Sequence, residues 1–458
     1  MDGRVYFEIP LALMGREMLM GSTISEITNN GFGSVGEKPK GLLYISFVRC
    51  DSVISLKQLT AQYDTNEENL KQRIKESTIP ATIKNFKITT YNEDSTAVVI
   101  DMTDYLVSAD EAIDPFSPWA PILAGGERVM EKEFRRENSQ VVSIKAFEDN
   151  VSVKSSLTYG LSLKNKVMYI FQREPFTAVM TRSFILLPEH PMRPRLADPR
   201  IAIFSQGVSV FNGDSRGAQA RYYAQRWNLE PKDMEQYRKG VLTEPKKPIV
   251  FYVDNTFPEN WKKYIKEGVE VWQMAFEKIG FKNAIVARDF PVDDVTFDPD
   301  NLKYSCVRYS PSWVANAMGP SWTDPRTGEI INASVYLYHN LVKMVQNWRF
   351  IQTGPADANV RKIVFDEETL GECIRYVVSH EIGHCLGFMH NMAASSAIPV
   401  NSLRSPSFTQ KYGTTYSIMD YARNNYVAQP GDKEKGVKLT PPDLGLYDLF
   451  TVAWSYTP

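Results

Sequence analysis

The chain has 458 residues, 43% of them apolar, which is enough for a buried core and more than one domain usually holds. Its 52 Lys and Arg against 54 Asp and Glu leave a formal net charge of -2, with no basic run and no interleaving of basic and aromatic residues, so no nucleic-acid partner is expected. No apolar stretch approaches the eighteen or so residues of a transmembrane segment, and four cysteines in this length form no disulfide framework.

The N-terminus, Met1-Asp2-Gly3-Arg4-Val5-Tyr6-Phe7-Glu8, lacks the basic start and apolar core of a signal peptide. It reads as the beginning of a strand, as expected if the numbering starts inside a longer, processed or engineered chain. From there to about residue 230 the texture is β-rich. Short β-branched and aromatic runs at 5–9, 43–48, 97–102 and 166–171, with alternating segments at 141–163 and 176–187, predict one or two antiparallel β units. A short helix is expected at 67–76. Nothing in this half has catalytic spacing. Cys50 and Cys306 read as buried thiols. A Pro- and Lys-rich segment from Leu229 to Pro248 then changes the texture, and we expect a β-rich region over 1–240 and a second domain over 247–458.

In the second domain strand and helix alternate. Ile249-Val250-Phe251-Tyr252-Val253 reads as a buried strand, and Pro258 can sit in the first turn of a helix running to Gly280. Trp261, Ile265, Gly268, Trp272, Ala275 and Phe276 keep three-four spacing, so this helix should lie on a sheet. Strands follow at 282–287 and 305–309. The Asp-dense loop with Asp289, Asp293, Asp294, Asp298 and Asp300 lacks the order of a calcium loop and reads as solvated. Asp324-Pro325-Arg326-Thr327-Gly328-Glu329 is a turn into a strand at Ile330 to Tyr338. Thr369-Leu370-Gly371-Glu372 has the pattern of a capping box that opens the next helix. On that helix Cys373 and Cys385 would lie about 18 Å apart, beyond bridging distance.

The helix leads into His380-Glu381-Ile382-Gly383-His384-Cys385-Leu386-Gly387-Phe388-Met389-His390, which holds three of the chain's five histidines. A pair four residues apart lies about 400° around a helix, so His380 and His384 face one way and can share a metal ion. Continued as helix, the chain would swing His390 roughly 240° from His384, away from the metal. Gly387 is placed to break it, since glycine reaches the left-handed region without a Cβ penalty, and the break brings His390 back as a third ligand. Three ligands leave a fourth position open, the mark of a catalytic rather than a structural zinc site, with Glu381 beside it to act on a water.

These residues, together with Tyr416-Ser417-Ile418-Met419-Asp420-Tyr421 downstream, resemble the metzincin zinc metallopeptidases. His380, Glu381, His384, Gly387 and His390 match the HExxHxxGxxH motif, and Ser417 to Tyr421 resembles the Met-turn. The likeness covers about residues 247 to 458. The whole chain also resembles large bacterial zinc-dependent metalloproteases that place β-rich domains of unknown function first. It implies an α+β multidomain chain: a β-rich N-terminal region, then a metzincin-like α/β catalytic domain with a twisted sheet, active-site helix and Met-turn. His380, His384 and His390 would bind Zn2+, with Glu381 as general base in hydrolysis of peptide bonds by a zinc-activated water. Met419 would form an apolar floor, and Tyr421 would stabilise the oxyanion or pack beside the metal. The strand at Ile330 to Tyr338 would be the edge strand of the cleft, to which an extended protein or peptide substrate adds.

The resemblance also implies export to the periplasm or cell surface and a chain that continues beyond Pro458. Phe211-Asn212-Gly213-Asp214 is similar to the motif by which some pro-segments block the zinc, and Cys50 could do so as a thiolate. Two alternatives stay open: a binding or scaffold protein with a vestigial zinc site, and a metal-dependent amidase acting on a non-peptide amide. Oligomeric state is not readable from the sequence.

Overall fold

The structure, a computed structural model, describes residues 3–118, 120–123, 127–213 and 217–458. Its N-terminal region is built on a ten-stranded antiparallel sheet. The two longest strands, Asn150–Lys164 and Tyr169–Leu186, form a hairpin near one side of it. Their inward positions recur every second residue: Val153, Leu157, Leu161 and Leu163 on one strand, and Phe176, Ala178, Met180 and Phe184 on the other, are all buried. That period is the β signal in the sequence. The run at 166–171 straddles the hairpin turn instead of forming its own strand, because the Asn165 side chain accepts from the amides of Val167 and Met168, both at 2.9 Å. The short helix falls at Glu68–Ser77 as expected. A separate three-stranded sheet joins Gln219–Ala224, Ser205–Val210 and Tyr63–Asp64.

The second sheet has six strands, ordered Ile285–Asp289, Ile249–Val253, Ser305–Ser310, Ile330–Tyr338 and Ala317–Met318, with Ser321–Thr323 also paired to Ile330–Tyr338. The first four are mutually parallel and the short pair runs antiparallel. The strand Ile330–Tyr338 is therefore interior, not the edge strand expected from the sequence. Eight of its nine residues are buried, as befits a strand paired on both sides. The rim falls to residues 317–323, which fold back along it through the turn at Asp324 to Glu329.

The apolar stripe from Trp261 to Phe276 is buried, but the helix carrying it is split into Glu259–Glu270 and Gln273–Glu277, and Pro258 stands at the N-cap. It packs on the histidine-bearing helix Glu367–Cys385. Two glycines allow the close approach. Gly268 lies against Val378 and the Arg375 carbonyl, and Gly371 lies under the Tyr264 ring. The histidine-bearing helix starts earlier than expected: Asp366 is the N-cap and accepts from the Thr369 amide at 2.9 Å, so Thr369 is inside the first turn.

The Asp-dense loop divides. Asp293 and Asp294 are exposed, but Asp298 and Asp300 are buried and paired, which corrects the solvated reading for them. Lys154 from the N-terminal sheet lies 3.3 Å from both, and Arg308 lies 3.0 Å from Asp300. These carboxylates join the two halves of the molecule. All four cysteines are free, and Cys50 is exposed instead of buried because it ends a strand at a tight hairpin turn.

A methyl group at position 268 would sit 2.8 Å from the Val378 Cβ and 2.9 Å from the Arg375 carbonyl oxygen, neither of which can yield cheaply. Gly268→Ala should therefore cost about 1–3 kcal/mol of stability, read as a drop in Tm of several degrees. Gly41→Ala, with nothing within 4 Å, should leave Tm unchanged or slightly raised.

Candidate metal centre

The helix Glu367–Cys385 is regular through His380 and His384, so both imidazoles leave the same face. It ends in a two-bond turn: the Phe388 amide donates to the Gly383 carbonyl at 3.0 Å and the Gly387 amide to the His384 carbonyl at 2.9 Å. Gly387 has φ +95°, the left-handed value that closes this turn. The chain then doubles back. His390 Nε2 comes to 3.2 Å from His380 Nε2 and 3.1 Å from His384 Nε2. Around a tetrahedral zinc ion with Zn–N bonds of about 2.05 Å, ligand nitrogens stand about 3.3 Å apart, so the spacing fits.

The tautomers fit as well. Nδ1 of His380 donates to the Ile418 carbonyl at 2.7 Å and Nδ1 of His384 to the Phe388 carbonyl at 2.8 Å, which leaves each Nε2 with its lone pair facing the centre. Burial, aided by the neighbouring imidazoles, pulls His380 down to about 3 and His384 to about 4, so both are neutral near pH 7. This is the donor state a cation requires.

Three consecutive carbonyls at the helix end are filled from distant parts of the chain. Cys385 accepts from the Trp227 indole at 2.9 Å, Leu386 from the Tyr456 hydroxyl at 2.8 Å, and Gly387 from the Phe204 amide at 2.8 Å. The Met389 amide donates to Ala202 at 2.9 Å. The turn that presents His390 is thus clamped by residues 202–227 and by the C-terminal helix Leu446–Tyr456.

Met419 lies buried against Gly383 of the histidine-bearing helix. Gly383 makes room for it, since any Cβ there would strike the Met419 sulfur and approach the Trp272 ring. The turn carrying Met419 hangs on Asp448, whose carboxylate accepts from the Ser417 hydroxyl at 2.7 Å, the Ile418 amide at 2.8 Å and the Gly445 amide at 2.7 Å. Burial pushes that carboxyl up to about 6 while the three donors hold it down. Ile418 is held by its amide on Asp448 and by its carbonyl on His380.

Glu381 and Tyr421 line one cleft of about 710 Å³ with the three histidines. Burial pushes the Glu381 carboxyl up to about 8, against a hydrogen bond from the Gly319 amide that lowers it. The Tyr421 ring, half-exposed, stands 4.6 Å from the His390 ring and 5.6 Å from that of His380. The cleft rim is the 316–321 segment, and Phe204 and Gln225 form part of the wall. Gly319 packs so tightly on the Glu381 carbonyl that no side chain fits there.

The structure therefore brings together His380, Glu381, His384, His390 and Tyr421 in one cleft. Cys50 and Phe211 are not among the cleft-lining residues, and Asp214 lies outside the described residues. Asp448, Trp227, Tyr456, Phe204 and Gln225 were not foreseen. Their roles rest on pairings across tens to hundreds of residues, and no local spacing marks them. Among the described residues the three histidines are the one cluster of His, Cys, Asp or Glu with metal-ligand spacing.

The long helix, its reversed C-terminal turn and the converged imidazoles are metzincin-like features of this part of the chain. Comparison with known families agrees: residues 362–458 match the family model described as Met-zincin. Residues 38–232 match a domain of unknown function (DUF5117) and residues 1–27 a second (DUF5118). No curated protein and no solved structure matches the chain. Family and cluster together indicate a metal ion, and Phe204, Gln225 and Trp227 fall inside the DUF5117 match.

A Cβ at position 387 would strike the Gln225 carbonyl and burden a residue at positive φ. Gly387→Ala should lose more than about 2 kcal/mol of stability and most of its bound metal, measured by thermal unfolding and metal analysis after dialysis. Trp227→Phe, which keeps an aromatic ring but removes the indole N–H that donates to Cys385 together with the pyrrole half of the side chain, should cost about 1–3 kcal/mol.

Proposed function

We propose that the protein is a zinc-dependent endopeptidase. The observation that carries this reading is the placement of the Glu381 carboxyl in one open cleft with three imidazoles whose free Nε2 atoms converge. A zinc ion held by His380, His384 and His390 would supply Lewis acidity, lowering the pKa of a water towards about 7 and polarising the scissile carbonyl.

Glu381 is the general base in this reading. In this role the carboxylate, aimed by the Gly319 amide, takes a proton from the attacking water and returns it to the leaving amine. Tyr421, beside His390 and His380, donates its hydroxyl to the oxygen that gains charge in the tetrahedral state. An extended peptide would lie along the outer edge of Ala317–Met318, the terminal strand of the sheet, and pair with its backbone. Met419 serves as an apolar floor that keeps His380 in place. The division at residues 240–247 would then separate a region that builds one cleft wall from the domain that carries the chemistry. A purely structural site would have no use for a buried carboxyl at Glu381.

Glu381→Gln should retain zinc at one equivalent and lose peptide cleavage by several orders of magnitude; cleavage that survives removes the base from Glu381. A parent protein that binds zinc yet cuts no peptide in a diverse library would instead favour a scaffold or a non-peptide amidase. Tyr421→Phe should lower kcat about tenfold to a hundredfold with unchanged zinc content. An unaltered kcat removes the oxyanion role.

A further inference from the structure

Beyond His380 the cleft continues between the active-site helix and the helix Leu341–Thr353. Met344 and Trp348 from one helix and Tyr376 and Val377 from the other give this end apolar and aromatic walls. Arg423, two residues after Tyr421, is the one lysine or arginine among the described residues that line the cleft. Its guanidinium carbon lies 3.7 Å from the Trp348 ring centroid and 5.0 Å from that of Tyr421. It is thus one aromatic ring away from His390.

Stacking engages the flat faces of a guanidinium and leaves its N–H edge free. That edge has no protein acceptor: among the described residues no carboxylate lies within ion-pair distance of Arg423 and its side chain donates no hydrogen bond. Three buried or partly buried arginines elsewhere in this domain behave differently. Arg308 is paired with Asp300, Arg326 with Asp324 and Arg349 with Asp357. The acids nearest in sequence and cleft are already engaged, Asp420 with the Ser395 amide at 2.7 Å and Glu381 with the Gly319 amide. A planar, pre-oriented cation in an aromatic pocket beside the reacting centre is a receptor for a carboxylate.

We propose that Arg423 makes this end of the cleft a carboxylate-binding subsite, so that the enzyme selects peptides with a carboxylate next to the scissile bond. The proposal rests on the peptidase reading and names its substrate class. The carboxylate comes from an Asp or Glu side chain or from a free C-terminus, since the guanidinium fork accepts both alike. A substrate Lys or Arg at this position would meet an uncompensated positive charge and be rejected.

The test uses the full chain loaded with zinc and peptides of one parent sequence. Asp, Asn, Glu, Gln and Lys are placed in turn on each side of the scissile bond, and every peptide is made with a free and an amidated C-terminus. Acid should exceed amide in kcat/KM by about tenfold or more at one position, mostly through KM. A preference tied to the side chain identifies an endopeptidase subsite; one that vanishes on C-terminal amidation identifies recognition of a chain end. Arg423→Glu should reverse the order in favour of Lys, and Arg423→Lys should keep the sign with a smaller ratio. The same peptides titrated calorimetrically into Glu381→Gln give the ranking without turnover. Cleavage with equal rates for acid and amide overturns the subsite and leaves proteolysis standing. Absence of both cleavage and binding for every peptide overturns both.

Discussion

The last turn of an α-helix leaves carbonyl oxygens without intrahelical partners, and in this protein those oxygens are where the chain is tied together. Cys385, Leu386 and Gly387 each accept one hydrogen bond, from Trp227, Tyr456 and the Phe204 amide. Two of the donors belong to the N-terminal region and one to the C-terminal helix. The turn at Gly387 can hold its left-handed geometry only while these partners are seated, and His390 reaches the other imidazoles only through that turn. Helix capping, a local matter in most proteins, here couples three remote parts of the chain to the ligand geometry.

The same logic governs the turn that carries Met419. Met419 approaches the helix so closely that position 383 must lack a side chain, and the loop bearing Met419 is pinned through the buried Asp448. Burying a carboxylate is costly unless its lone pairs are filled, and three donors fill them. The result is a rigid path from the C-terminal helix through Ile418 to the Nδ1 of His380. Glycines at 268, 371 and 383 serve this rigidity by letting backbone and large side chains meet without intervening groups.

The N-terminal region is built into the cleft. Phe204 and Gln225 line it, Ala202 and Phe204 pair with the returning strand, and Lys154 closes on Asp298 and Asp300 across the junction with the large sheet. A segment that contributes hydrogen bonds to the ligand-bearing turn cannot be removed without disturbing the site. This argues that residues 202–227 help to build the site and against a detachable blocking role.

Local chemistry made the histidine triad legible. The i, i+4 spacing of His380 and His384 and the need for a glycine before His390 are properties of a single helix and its end, so geometry alone located the centre. The β alternation in 141–163 and 176–187 and the helical stripe from Trp261 to Phe276 were legible for the same reason. Tertiary pairing decided the rest. Whether Ile330 to Tyr338 is an edge depends on where residues 317–323 fold, which no periodicity states. Asp298 and Asp300 look identical in sequence to the exposed Asp293 and Asp294, and only the approach of Lys154 and Arg308 separates them. Asp448, Trp227 and Arg423 carry no motif, because their partners lie far away in the chain or belong to an aromatic wall assembled from another helix. Sequence by itself determined which residues can hold a metal; the packing of three distant segments decided that they are held in position to do so, because hydrogen bonds to a helix end have no sequence spacing.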